Sequence, residues 1–278
     1  MNPTSPTKAP WLTIYVVAYV LFLYLPIAII PLFSFNNSIQ AAFPLSGFTL
    51  EWYRSLFDNE NLHRAFQTSL IVGVSAAFLA TSIGVTVGYM EVAGGDRASR
   101  LISALCRLPI LIPGVIVGIA LLILVNLAGL GPSRMAIVLG HTLVALPTAV
   151  VIMRGRFSSL PRSFSEVAMD LGAHEWTTFR RIVLPLAAPA IASSFMLSFL
   201  TSFDEFIVAF FLSGTEPTLP LFVWGQLRFP KALPSVMALG TFILLASIVI
   251  ATGAEIIRRR GASNDELPVT TPRPLPIS

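Results

Sequence analysis

Long uncharged stretches alternate along this chain with short charged ones. A hydrocarbon layer about 30 Å thick needs roughly 20 apolar residues at about 1.5 Å each. Six stretches reach or approach that length: Trp11 to Phe33, Ala65 to Met90, Leu108 to Ser133, Met135 to Met153, Leu184 to Phe203 and Ala232 to Ala254. The pattern predicts six membrane-spanning helices and an all-α membrane protein. The fifth stretch is interrupted near its end by Asp204 and Glu205, then resumes as Phe206 to Ser213. Pro109, Pro113 and Pro147 fall inside predicted spans, where the lost backbone bonds mark kinks. Gly84-x-x-x-Gly88 and Gly114-x-x-x-Gly118 offer small surfaces for close helix packing in lipid.

Composition agrees with a lipid-embedded chain. Of 278 residues 55% are hydrophobic and 12% charged, with a mean hydropathy of +0.79, outside the range of a soluble surface. Six spans put both termini on one side. With that side cytoplasmic, thirteen of the eighteen Lys and Arg lie inside and five, Arg54, Arg64, Arg134, Arg228 and Lys231, lie outside. The positive-inside rule prefers this orientation. The expected organisation is a cytoplasmic N-terminus over residues 1–10, a first span with its outside loop over 11–64, a core of five spans over 65–258, and a Pro-rich polar tail over 259–278 expected to be disordered. The outside loop carries an aromatic segment, Gly47 to Tyr53, suited to the membrane rim. The first apolar run is longer than a signal-peptide core and reads as a retained anchor. The pI near 9.6 comes from basic residues spread over short loops, which suits anionic headgroups better than nucleic acid. Cys106 is the sole cysteine, so no internal disulfide forms.

Catalytic and nucleotide-binding signatures are missing. Lys8 and Lys231 are the only lysines and neither follows a glycine, so the chain has no phosphate-binding loop. His63, His141 and His174 fall in three different regions and predict no metal site. Neither a Gly-x-Ser-x-Gly elbow nor a Gly-x-Gly-Asp pair occurs. The chain reads as a non-enzyme.

The polar segment between the fourth and fifth spans, residues 161–184, has its own pattern. From Pro161, suited to a first helical turn, Phe164, Val167, Ala168 and Leu171 recur at helical spacing, and Gly172 stands where a helix end takes a left-handed residue. A second short helix is predicted from about Glu175 to Val183, with Trp176, Phe179 and Val183 on one side, before Pro185 opens the next span. The two make an elbow with Gly172 at the corner. Glu166 and Asp170, like charges one turn apart, suit a protein partner better than anionic headgroups.

At these residues the chain resembles the permease subunits of binding-protein-dependent ABC importers. Their cytoplasmic signature is Glu-Ala-Ala, three residues, Gly, nine residues, then Ile-x-Leu-Pro. Glu166, Ala168, Gly172, Ile182, Leu184 and Pro185 match with every gap preserved, and Val167 replaces the first Ala. The resemblance covers about Ala65 to Arg258. It implies the type I importer fold, with the elbow, Asp170 included, as the coupling helix seated in a separate ATPase. It further implies two ATPase subunits that bind ATP and Mg, a second related permease pairing as a heterodimer, a periplasmic solute-binding protein, and a bacterial inner-membrane location. No cofactor is expected in this chain.

Cargo is approached through the fifth span. Intramembrane carboxylates are costly and generally face an aqueous path, so Asp204 and Glu205 are pathway candidates, with Ser198, Thr201 and Ser202 before them and Trp224 on the following outside loop. An acidic pair suits a cationic solute. The Phe203-Asp-Glu-Phe206 segment followed by Phe210-Phe-Leu-Ser-Gly214 resembles the second permease of spermidine/putrescine-type importers, which implies a polyamine. The alternative cargo is another small organic solute, such as an amino-acid derivative. An ion-coupled secondary transporter leaves the 161–184 signature unexplained, and a membrane scaffold leaves the carboxylates unexplained.

Overall fold

The computed structural model describes residues 10–161 and 163–262. The expectations for residues 1–9, for Arg162 and for the tail beyond residue 262 lie outside the described residues. The helices in chain order are α1 (Pro10–Ser34), α2 (Glu51–Phe57), α3 (Glu60–Gly94), α4 (Arg97–Arg107), α5 (Gly114–Leu127), α6 (Arg134–Ser159), α7 (Ser163–Asp170), α8 (Glu175–Thr178), α9 (Leu184–Asp204), α10 (Ile207–Leu212), α11 (Leu219–Gln226) and α12 (Leu233–Ala262). A lone bridge between Asn36 and Phe48 is the only β pairing among the described residues. The protein is all-α.

Among the described residues five helices are long and apolar enough to cross a membrane, and a bent pair makes a sixth if it counts as one span. The departure from the expected pattern is the third stretch, Leu108 to Ser133, which is not one helix. A 3₁₀ turn covers Leu108–Leu111, Ile112 is extended with ψ of 128°, and α5 begins only after Pro113. Proline forces its predecessor out of the helical region, so Pro113 dictates the break at Ile112. At the far end Gly129 and Gly131 take φ of +72° and +63° and end the helix. What is left, 14 residues, measures about 21 Å. The α4 segment meets it at a bend of 112°.

Residues 59–228 form one compact unit. Its centre is the crossing of α3, α6 and α9. Lipid tails are as apolar as leucine, so helices there hold together by close packing and polar contacts instead of by exclusion of water. Small residues line the α3–α6 contact: Ala80, Ala145 and Ala149 are fully buried together. A Cβ on Gly84 would lie 2.9 Å from the Ala149 carbonyl carbon, and one on Gly88 2.9 Å from the Arg154 nitrogen. The Gly84-x-x-x-Gly88 motif is therefore a backbone-to-backbone contact. Farther along, His141 on α6 and Ser202 on α9 share a buried hydrogen bond of 2.8 Å. On the other flank α10 packs against α5 and α6, burying Val208, Ala209 and Leu212 against Ile137 and Val117. Phe66, Phe78, Leu79 and Met196 point outward, as a lipid-facing surface requires.

The second unit contains α1, α2 and α12. In it α1 packs against α12, yet most of its side chains stay exposed. The loop after α1 folds around Asn36, which is buried. Its carboxamide accepts from the Ser46 amide at 3.0 Å, and its carbonyl accepts from the Trp52 indole at 2.9 Å. The Tyr53 hydroxyl meets Ser34 at 2.6 Å. The aromatic segment thus fastens the loop to the end of α1, while Phe48 and Phe57 remain exposed.

Since the α3–α6 crossing leaves no room at Gly88, Gly88→Val forces the two backbones apart, an overpacking cost of about 1–3 kcal/mol. The variant in detergent is expected to melt several degrees below the wild type. An unchanged melting temperature would show that the crossing does not limit stability.

Candidate functional site

The 161–184 segment forms the predicted elbow, with one difference in its second arm. α6 ends at Ser159, and Leu160 turns extended at ψ of 131° ahead of Pro161. α7 then runs to Asp170. Its end carries two nested bonds: the Gly172 amide donates to the Met169 carbonyl at 2.9 Å, and the Ala173 amide to the Ala168 carbonyl at 3.0 Å. Gly172 sits at φ of +86°, a conformation that other L residues adopt only with strain. No atom lies within 4 Å of where a Cβ would stand. Backbone conformation, not space, calls for glycine there.

The second arm does not stop before the fifth span. α8 continues through a π turn over Phe179–Val183 directly into α9, so Glu175 to Asp204 is one 30-residue helix. The Leu184 amide reaches back five residues to the Phe179 carbonyl. Pro185, the next residue, donates no bond, and the widened turn absorbs that defect without breaking the rod. The boundary expected at Pro185 is thus replaced by a continuous element.

Of the apolar positions on α7, only Ala168 is buried. Phe164 is 50% exposed, Val167 56% and Leu171 84%; Trp176 on the second arm is 68% exposed. Glu166, Asp170 and Glu175 are also exposed. The elbow's outer surface is therefore apolar with acidic residues beside it. Its inner side is anchored by Met153, Phe157, Val183 and Ala187, all buried. Tyr89 of α3 fits between Phe157 and Phe179, with ring centroids 5.6 and 4.5 Å away. A groove of about 680 Å³ separates α7 from the ends of α3 and α6, with Glu166, Glu175 and Asp96 on its walls. Ile182 is half-buried, and Leu184 and Pro185 border a separate apolar groove between α3 and α9.

At the other end of α9 the candidate pathway residues separate into distinct roles. Glu205 Oε1 accepts from the amides of Ile207 and Val208 at 2.9 and 3.0 Å, capping α10. Asp204, the last residue of α9, is exposed and makes no side-chain hydrogen bond among the described residues. Ser198 and Ser202 are buried, the latter on His141, and the Thr201 hydroxyl returns to the Leu197 carbonyl at 2.9 Å. Trp224 stacks near Phe206 and Phe210, with centroids 5.6 and 5.4 Å away, and the Arg228 guanidinium lies 3.9 Å over its ring. The structure thus places Asp204 and Trp224 at the surface and the two serines inside the bundle. The His141–Ser202 bridge, the Tyr89 stack and the cap by Glu205 are tertiary contacts that residue spacing does not predict; a structural His inside an apolar run, facing a Ser-rich helix, is the available signal for the first.

Comparison with known proteins places these features in context. The family described as "Binding-protein-dependent transport system inner membrane component" matches residues 73–261. The spermidine/putrescine transport system permease protein PotC of Escherichia coli (strain K12) is 34% identical over 239 residues, covering 86% of this chain and 90% of that one. The putrescine transport system permease protein PotI of the same organism is 32% identical over 252 residues, covering 88% and 89%. A solved bacterial ABC transporter involved in the import of the acidic polysaccharide alginate superposes with a TM-score of 0.69 at 17% identity, over 93% of this chain and 99% of its counterpart, a likeness of fold.

Proposed function

The chain belongs to the family of binding-protein-dependent transport system inner membrane components, whose members are translocation subunits and not enzymes, and from that premise we propose that it carries a polyamine of the spermidine or putrescine class. The observation that carries this is the exposed Asp204 carboxylate at the end of α9, beside a neighbouring carboxylate already engaged in capping. A cationic amine gains an ionic partner there that a neutral solute does not. Trp224 lies on the same unit with an aromatic face that already holds one cation, Arg228, which is the chemistry an ammonium uses. The two curated relatives are named as polyamine permeases, which supports the same cargo.

In this reading the elbow is the coupling helix. Its exposed Phe164, Val167, Leu171 and Trp176 would be covered by an ATPase subunit, with Glu166 and Asp170 beside them. ATP and Mg bind on that partner, of which the assembled importer has two copies. A second, related permease completes the pathway as a heterodimer, and a periplasmic binding protein delivers the solute. Both termini and the elbow face the cytoplasm, as the distribution of Lys and Arg supports. The elbow's stiffness is what the function needs: a capped corner joined without a break to a span transmits a push with little slack.

Two outcomes test the reading. In liposomes containing this chain with its second permease, ATPase and binding protein, Asp204→Asn is expected to lower labelled spermidine or putrescine uptake about tenfold, roughly one lost charge pair, while assembly is unchanged. Normal uptake kinetics in that variant, or failure of either polyamine to be carried by the wild type, would reject the cargo assignment. At the corner, Gly172→Val introduces about 1–2 kcal/mol of left-handed strain for a β-branched residue. It is expected to lower uptake and weaken ATPase attachment, whereas Gly172→Asn, which tolerates that conformation, retains most of both. Equal behaviour of the two variants would remove the corner from coupling.

A further inference from the structure

A carboxylate outside both regions ties three helices together. Glu91, near the end of α3 closest to the elbow, has a side chain only 8% exposed. Arg154 of α6 forms an ion pair with it, Nε standing 2.8 Å from one carboxylate oxygen, Arg107 of α4 lies 3.8 Å from the same oxygen, and the Ser103 hydroxyl of α4 donates to the other. The surroundings explain why a charge stands there. α4 turns Ser99 and Ser103 inward and leaves Leu101 and Leu105 61% and 54% exposed, the reverse of a helix in water. Apolar residues facing lipid hold nothing to the bundle. The polar side of α4 must do so, and Glu91 is the group it meets.

The same stretch of α6 reaches in the opposite direction. Arg156, two residues after Arg154, donates through Nε to the Leu186 carbonyl of α9 at 3.2 Å. α6 therefore holds α3 through one arginine, with α4 joined at the same carboxylate, and the start of the fifth span through another. Buried ion pairs are often replaceable by apolar residues without loss of stability, so such a cluster is better understood as specifying an arrangement than as strengthening the fold.

We propose that Glu91 is a positioning residue for transport: it locks α3 and α4 to α6, so that displacement entering at the elbow moves these helices with α9 as one body. The inference rests on the elbow being the coupling element. Without the lock, the elbow and α9 still respond to the ATPase, but α4 and the broken span behind it lag, and ATP is hydrolysed without delivery of solute. Glu91 touches neither substrate nor nucleotide; it acts through the helices it joins.

The test uses the complete importer in liposomes, measuring three quantities together: the amount of assembled complex, ATP hydrolysis stimulated by the binding protein, and labelled polyamine carried per ATP. Glu91→Gln keeps the shape and a hydrogen-bond acceptor for Ser103 but removes the charge. It is expected to assemble and hydrolyse ATP, with solute carried per ATP lowered about fivefold. Arg154→Gln is expected to share the defect, and Arg154→Lys, which retains the charge, to recover much of the ratio. A wild-type ratio in both Glu91→Gln and Arg154→Gln overturns the proposal, as does a loss fully accounted for by less assembled complex. Should Glu91→Gln fail to assemble, Arg154→Gln decides alone, because its side chain is 48% exposed and Arg107 still faces Glu91 in its absence. A wild-type complex that carries solute without ATP overturns the coupling reading itself and this inference with it.

Discussion

Everything in the central unit depends on how closely α3 and α6 approach. In lipid, apolar side chains gain nothing by leaving the solvent for one another, so a bundle is held by dispersion between surfaces that fit and by polar groups that find partners. Gly84 and Gly88 let the α3 backbone touch Ala149, Met153 and Arg154 directly. That contact brings Arg154 within reach of Glu91 and sets the spacing at which α9 can pack over both. The Thr81 and Ser194 hydroxyls, 3.4 Å apart, and the His141–Ser202 pair then fasten α9 along its length. A side chain at either glycine would displace the polar contacts along with the apolar ones.

The same core anchors the inner side of the elbow. Helix ends ordinarily fray, and three local devices oppose this at the elbow. The nested bonds at Gly172 close the α7 terminus. The aromatic packing of Tyr89 with Phe157 and Phe179 holds the second arm against the core. The π turn carries the helix past Pro185 without a gap. The same elements also explain an apparent waste, a short helix with Phe164, Val167 and Leu171 exposed. Its inner side is already anchored through Ala168, so these residues have no partner within the described part of this chain.

Much of this was legible in the sequence because it follows from rules that act over a few residues. Uncharged length marks a span, a glycine after an amphipathic turn marks a corner, and two glycines four apart mark a close crossing. Five of the six apolar runs are single helices for that reason. The run from Leu108 to Ser133 is not, since hydropathy measures length and does not register that Pro109 and Pro113 together dismantle a turn instead of kinking it. The π turn is not legible in the sequence, because Pro185 ordinarily opens a helix and the packing of Val183 and Ala187 against α6 is what favours continuity. The Glu91 cluster was hidden for another reason. Its partners lie 12, 16 and 63 residues away in sequence, and no periodicity relates them.

The paired acids after the fifth span show how local structure divides chemistry that composition alone treats as one. A carboxylate in or near a membrane is costly unless something compensates it, which makes both residues candidates for function. Glu205 has compensation of a structural kind: after the helix breaks, its carboxylate accepts two amides at the start of α10, satisfying donors that would otherwise be orphaned at low dielectric. That duty fixes its orientation and takes up one of its oxygens. Asp204 is one residue earlier, at the last helical position, where no such donors are available. The break in the helix is thus what separates the two: it recruits Glu205 as a cap and leaves Asp204 exposed, without a side-chain hydrogen bond among the described residues.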